Sequence, residues 1–300
     1  MPPSDKPTII DARLRLGPLT ARVRVTGDAG LLLTPEHIAR RWGPFMITAS
    51  DAPGEDETED DLAVEFETQE GPWPRPGQPP VHSLRVVQRD GAWRVLRDDI
   101  DAILYPSMFM LEGTCAPRLP AIEECLRLLL WLHQTRSAPA GLLVHSASTV
   151  YNGKAWCFPA YGGTGKSTLA TLTPGHLALC DEISMLTLEE DGQWYAWPCP
   201  FWNWDRNFHP EQSGAVRYPL AGLGFLKQSP VTRYEPMRAD DALTRVMEQA
   251  VAFDAFPRSS GRTFELAADL VEHFGQRERL GMLHLLKGDD FYPVLDSLGD

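Results

Sequence analysis

The chain is short of several things, and each shortage removes a class of function. Cysteine is sparse: five in 300 residues, at positions 115, 125, 157, 180 and 199. No two have the C-x-x-C spacing of a redox or zinc motif, and no Cys/His cluster has zinc-finger spacing. They read as buried thiols of a reducing compartment. Positive charge is also scarce. Twenty-eight Lys and Arg against 41 Asp and Glu leave a formal net charge of −13, which argues against nucleic acid or an anionic membrane as a partner. Long apolar runs are missing too. The longest, Leu126–Leu132, contains Arg127 and is far too short to span a bilayer. No apolar stretch follows Met1-Pro-Pro-Ser-Asp-Lys6, so no secretory signal is expected and the expected location is the cytoplasm. No internal repeat is visible.

What is present centres on Gly141–Glu182. Within it, Tyr161-Gly-Gly-Thr-Gly-Lys-Ser-Thr168 reads as a phosphate-binding loop. The apolar stretch Ala155–Ala160 reads as a strand entering it, and Ser167–Leu172 as a helix leaving it. Strand, loop and helix in that order suit the chemistry. Glycines let backbone N–H groups turn inward on a phosphate chain, and a lysine and a hydroxyl follow at once. The expected phosphate-binding residues are Gly162, Gly163, Thr164, Gly165, Lys166, Ser167 and Thr168. One position departs from G-x-x-x-x-G-K-[ST]: Ala160 stands at the first glycine, which requires a negative φ there.

Upstream, Thr8–Leu16, Leu19–Val25 and Leu62–Thr68 alternate apolar and polar residues as half-buried strands do. Thr34-Pro35 is a helix start. Arg89-Asp90-Gly91 is a hairpin turn between Ser83–Gln88 and Ala92–Leu96. Residues 51–62 carry seven acids and no base, and Gly71–Pro80 is rich in proline; both read as loops. The expected layout is a small, mainly antiparallel β module over 1–118 and a nucleotide domain over 119–300. Ala121–Gln134 is apolar nearly all round, as a buried helix is. Asn152-Gly153 joins Gly141–Val150 to Lys154–Pro159 as a hairpin, so the loop's strand is expected to have an antiparallel neighbour. Leu177–Cys180 is a short strand, one strand over from the loop, ending at Asp181-Glu182. Acids there can hold or orient a metal. Ile183–Leu188 and Trp194–Trp197 form a further hairpin. A strand over Gly222–Leu226, helices over Ala239–Ala252 and Phe264–Phe274, a strand over Gly281–Leu286 and a terminal helix over Asp290–Leu298 complete an α/β (α+β) layered reading.

Gly141–Glu182 resembles the catalytic domain of HPr kinase/phosphorylase, and more closely the shorter HPr-kinase-like serine kinases. The shared features are His145, twenty-one residues before Lys166, the hairpin Gly153, the pair Gly175-His176, and the adjacent acids Asp181-Glu182. The resemblance extends loosely through Pro219–Leu226 and Met237–Met247 to Leu283–Leu298. It implies a PEP-carboxykinase-like P-loop fold and transfer of the ATP γ-phosphoryl group to a hydroxyl, typically of a serine, with Mg²⁺. It implies that Lys166 neutralises the outer phosphates, Ser167 and Asp181 hold the metal, Glu182 accepts the hydroxyl proton, and His145 orients the acids. The E-I-R-G-type motif that completes the magnesium site in HPr kinases is missing, as is their basic C-terminal segment. Arg206, Arg233 and Arg238 are then candidates for charge stabilisation, Arg206 first. The implied partner is a serine-bearing protein or peptide, and a homo-oligomer is compatible. The alternative expectation is a catalytically weak or inactive nucleotide-binding regulatory protein. A PEP-carboxykinase-like or hydrolytic enzyme is disfavoured by the lack of an arginine cluster.

Overall fold

The computed structural model describes residues 7–27, 33–47, 60–69, 83–172, 177–202 and 215–298. It is a mixed α/β protein with two sheets and several helices. By contact the chain divides into two compact units, one of residues 1–133 with 253–257, the other of 134–252 with 258–300. No helix among the described residues is long and apolar enough to cross a membrane.

The first unit is built on a seven-stranded sheet. Its strands are β1 (Thr8–Leu16), β2 (Leu19–Gly27), β3 (Leu62–Thr68), β4 (Arg85–Arg89), β5 (Ala92–Arg97), β6 (Ile100–Tyr105) and β7 (Met110–Cys115), in the order β1-β2-β3-β7-β6-β5-β4. Alternation in β2 and β3 becomes alternation of burial, with Leu19, Ala21, Val23 and Val25 buried and the residues between them half exposed. The meander β7-β6-β5-β4 is antiparallel, but β3 runs parallel to both β2 and β7. Sequence periodicity reports which face a residue takes and not strand direction, so this insertion was invisible in it. β6, whose burial alternates, and β7, whose burial does not, are additions to the expected strands.

Helix α1 (Pro35–Trp42) starts as its sequence predicts, with the Thr34 hydroxyl accepting from the His37 amide and Pro35 in the first turn. Helix α2 (Leu119–Gln134) is buried round its circumference, from Ala121 and Ile122 to Trp131 and Leu132. The two are tied by Arg41, which donates twice to Glu123 at 2.7 and 2.8 Å, while Trp42 Nε1 donates to the same carboxylate. Trp131 packs on Phe253 and Phe256, and Trp93 on Phe256, which is why the short segment 253–257 counts with this unit. Of the acidic run, Asp60 accepts from Arg13 and Asp61 from the Thr20 amide, so these two are structural. Residues 51–59 and the proline-rich 71–80 lie outside the described residues.

The second unit holds β8 (Ala140–Tyr151), β9 (Lys154–Pro159), α3 (Lys166–Leu172), β10 (Leu177–Cys180), β11 (Ile183–Leu188), β12 (Trp194–Trp197), β13 (Tyr218–Gln228), β14 (Arg233–Pro236), α4 (Ala239–Gln249), α5 (Pro257–Gly275), β15 (Leu280–Leu285) and α6 (Tyr292–Asp296). The β8–β9 hairpin turns at Asn152 (φ 51°) and Gly153 (φ 74°), the left-handed pair that an Asn-Gly hairpin demands. β9 is thus antiparallel to β8 but parallel to β13, and β13 is parallel to β15. Following partners from β8 through β11, β12, β13 and β9 leads back to β8. The core inside includes Leu142, Val144, Leu186, Trp194, Leu223 and Phe225, closed by Ala242 and Val246 of α4 and Leu266, Leu270 and Phe274 of α5. α5 begins seven residues before the expected Phe264. Its first turns bury Ser259 and Thr263 on the stripe continued by Leu266 and Leu270, with Thr263 bonding back to the Ser259 carbonyl and Arg136 donating to the Ser259 hydroxyl. Polar residues on the buried face hid those turns from an apolar period.

Candidate functional site

The phosphate-type loop leaves β9 at Pro159 and enters α3 at Lys166. Ala160 is buried and has no positive φ, which explains why alanine serves at the first glycine position. Gly163 (φ 80°) and Gly165 (φ 108°) do occupy the left-handed region, where a side chain would be strained. A Cβ built on Gly162, Gly163 or Gly165 meets nothing within 4 Å. The loop therefore presents bare backbone to open space. Thr164 caps the turn by donating its hydroxyl to Tyr161 O at 2.7 Å.

Lys166 is 7% exposed, and its ammonium donates to the carbonyls of Ala160 (2.6 Å) and Tyr161 (3.1 Å). Burial pushes its pKa below the usual lysine range, opposed first by Glu182 and then by Asp181. The structure thus brings the loop lysine within electrostatic reach of the acid pair.

The acids form the junction between β10 and β11, both of which pair with β8. β10 meets Ser148–Val150 and β11 meets Ala140–His145, so the junction falls level with the middle of β8. The Ser146 amide donates to Glu182 O at 3.0 Å, and His145 lies opposite Ile183. β8 stands between β10 and β9, so the acids are two strands from the loop's strand rather than the one expected. Asp181 is buried at 1% exposure and Glu182 is half-buried. Under the junction lies a closed polar net. Ser184 Oγ is 2.6 Å from both Ser146 Oγ and Ser148 Oγ and 3.0 Å from Cys180 Sγ, while Cys157 Sγ donates to Ser146 Oγ. All five cysteines are buried free thiols, and burial pushes those of Cys157 and Cys180 up, away from the reactive thiolate.

Loop, histidine and acids share one cavity of about 930 Å³. Gly162 through Thr168, His145, Asp181 and Glu182 all line it. The far flank consists of Leu226–Pro230, at the carboxyl end of β13 and just past it, and Leu285–Lys287, at the carboxyl end of β15 and just past it. Sequence reasoning missed this flank. It also missed Gln228, whose Nε2 donates to Gly163 O at 3.4 Å, and two residues at the end of α4. Gln249 Oε1 lies 3.3 Å from His145 Nδ1, and Glu248 accepts from the Tyr161 hydroxyl. The signal for the flank is the rule that ligands bind beyond the carboxyl ends of parallel strands, which needs strand direction to apply.

Other candidates lie elsewhere. Arg233 pairs with Glu235 and Arg238 with Asp240 on the surface, and neither lines the cavity. Arg206, Gly175 and His176 lie outside the described residues. Among the described residues no three His, Cys, Asp or Glu side chains gather as a metal-holding group. Ser167 and Asp181, which both line the cavity, do suit Mg²⁺, which takes one or two protein oxygens and completes its shell from phosphates and water.

A family model described as "ScmC: SynChlorMet cassette protein ScmC" matches residues 120–272, just over half of the chain. No curated protein matches it. The match corrects the expected membership of the HPr kinase/phosphorylase-like serine kinases. That expectation leaned on a short stretch around the loop, where residue types follow from phosphate chemistry and separate families poorly.

Proposed function

Starting from the ScmC family of SynChlorMet cassette proteins, to which the chain belongs, we propose that it is an ATP-dependent kinase that transfers the γ-phosphoryl group to a hydroxyl, typically a serine of a peptide or small protein. The observation that carries this is the single cavity joining Gly162–Thr168 to His145, Asp181 and Glu182. Backbone N–H groups of Gly162–Lys166 bind the phosphates, and Lys166 turns from its own loop carbonyls to the outer phosphate oxygens. Ser167 and Asp181 would hold Mg²⁺, which supplies neutralisation of phosphate charge. The acceptor oxygen bonds to Pγ as the bond from Pγ to the β,γ-bridging oxygen breaks. ADP departs, and the hydroxyl proton passes to the Glu182 carboxylate. His145, steadied by Gln249, orients that carboxylate. Such chemistry is positioning and electrostatics, so a small set of residues suffices.

The fold we assign to the second unit is the PEP-carboxykinase-like P-loop fold, supported by the loop strand lying between an antiparallel and a parallel neighbour. ATP and the reduced thiols fit a cytoplasmic setting. The second reading, a nucleotide-binding regulator without turnover, is favoured by the engagement of Lys166 with its own loop.

Incubation with γ-labelled ATP, Mg²⁺ and a library of serine peptides tests both. Label transfer by the wild type, lost in Lys166→Ala and Glu182→Gln, is the expected result. ATP binding with neither transfer nor hydrolysis would leave the regulator. Should Glu182→Gln transfer as fast as wild type while Asp181→Asn is dead, the proton acceptor is Asp181.

A further inference from the structure

We infer that the nucleoside half of the nucleotide lies on the flank formed by Leu226–Pro230 and Leu285–Lys287, so that the phosphate tail runs across the loop toward the acids. This rests on the kinase reading above. The cavity has two flanks of unlike chemistry, one on each side of the loop. On the β8–β10 side stand His145, Asp181 and Glu182. Carboxylates repel phosphate unless a divalent cation lies between, so that side suits only the terminal, metal-bearing end.

On the β13–β15 side stand Leu226, Pro230 and Leu286, with the Gln228 amide and the Ser229 hydroxyl among them. Apolar surface carrying a few polar groups is what a purine and ribose require. Leu286 is 42% exposed, an uncovered apolar side chain beside a ligand-sized space. Lys227 and Lys287 add positive charge on the same flank, where the inner phosphates would leave the loop.

The flank is fixed before any ligand arrives. The Ser229 amide donates to Leu285 O at 3.0 Å, the Leu286 amide to Thr232 Oγ1 at 3.2 Å, and the Asp289 amide to Leu286 O at 3.0 Å. Gln228 joins it to the loop through Gly163 O. A nucleoside placed on the acid flank instead would send the phosphate tail away from Glu182.

The test compares ATP with inorganic tripolyphosphate, each with Mg²⁺, by titration calorimetry on the full chain and on Leu286→Glu and Leu286→Ala. Wild type should bind both. Leu286→Glu should weaken ATP about tenfold and tripolyphosphate less than about twofold, with Leu286→Ala between. Retained tripolyphosphate binding shows that the variant is folded. If Leu286→Glu loses that binding, Leu286→Ala and photolabelling decide: 8-azido-ATP should mark peptides containing 226–230 or 285–287, and a label confined to 177–202 overturns the inference. Equal weakening of both ligands by Leu286→Ala, or unchanged ATP affinity with a raised KM for the acceptor peptide, overturns it as well while leaving the kinase reading intact. If wild type binds neither ligand, the kinase reading fails and takes this inference with it.

Discussion

The two units bury charge in opposite ways. In the first, every charge discussed is closed into a pair. Arg41 and Glu123 are both almost fully buried and bonded by two N–H groups. Asp99 accepts from Arg97 and from Arg118. In the second, Lys166 and Asp181 are just as buried but line a cavity of about 930 Å³. A buried ion pair is a structural device whose loss exposes its cost. A buried charge on a cavity wall is placed for something that enters the cavity. Burial alone did not separate the two kinds. The separation came from what each charge faces.

Substitutions can break or sharpen this contrast. The largest effect is expected in the second unit and on activity alone. Glu182→Gln should reduce phosphoryl transfer by about 10³-fold, or about 4 kcal/mol of barrier, with the melting temperature nearly unchanged. A fall in stability comparable to that loss would place Glu182 among the structural charges.

Glu123→Gln should do the reverse. It strands Arg41 in a buried site and should destabilise the protein by about 3–5 kcal/mol in urea unfolding. A change below about 1 kcal/mol would show that the pair is dispensable.

Asp99 adds a pH dependence. Burial alone would raise its pKa, but Arg97 and Arg118 more than offset this and hold the carboxyl below the usual range. A depressed pKa means that the unfolded chain takes up the proton first. The stabilisation is complete above the ordinary aspartate pKa of about 3.9 and disappears as pH falls through the lower folded value. Asp99→Asn should cost about 2 kcal/mol at pH 7, since both arginines are partly exposed, and should flatten the decline in stability below about pH 4. An unchanged acid slope would show that Arg97 and Arg118 do not hold the carboxyl.

The smallest effect tests the floor of the site. Ser184→Ala removes the shared partner of Ser146, Ser148 and Cys180 and should cost about 1–2 kcal/mol. It should also slow transfer modestly through the acid junction above. A stability loss without any kinetic effect would uncouple the net from the junction.

Local rules carried much of the fold. The Thr34 cap, the Asn152-Gly153 turn, the alternation of β2 and β3, and the apolar girth of α2 were legible because each is a short-range preference written in neighbouring residues. The early turns of α5 and the parallel placement of β3 were not, because polar residues on a buried face and strand direction leave no periodic trace. Within the site, the loop glycines, Lys166 and Ser167 were expected from the loop motif, the acid pair from its place at a strand end and His145 from the family resemblance, and all of them line one cavity. Gln228, Gln249, Lys227 and Lys287 were not, since a lone Gln or Lys has no meaning until a fold gives it a neighbour.

Residue order alone set a glycine loop able to present bare backbone, a lysine and a hydroxyl directly after it, and two acids held together by a short link between strands. Those are properties of bonded neighbours. It took the folded chain to set β8 between acids and loop, to run β13 and β15 parallel to β9 with their carboxyl ends opening onto the same space, and to gather acids on one flank of the cavity and leucines with two lysines on the other. Those features depend on which strands pair and in which direction, and long-range burial settles that choice.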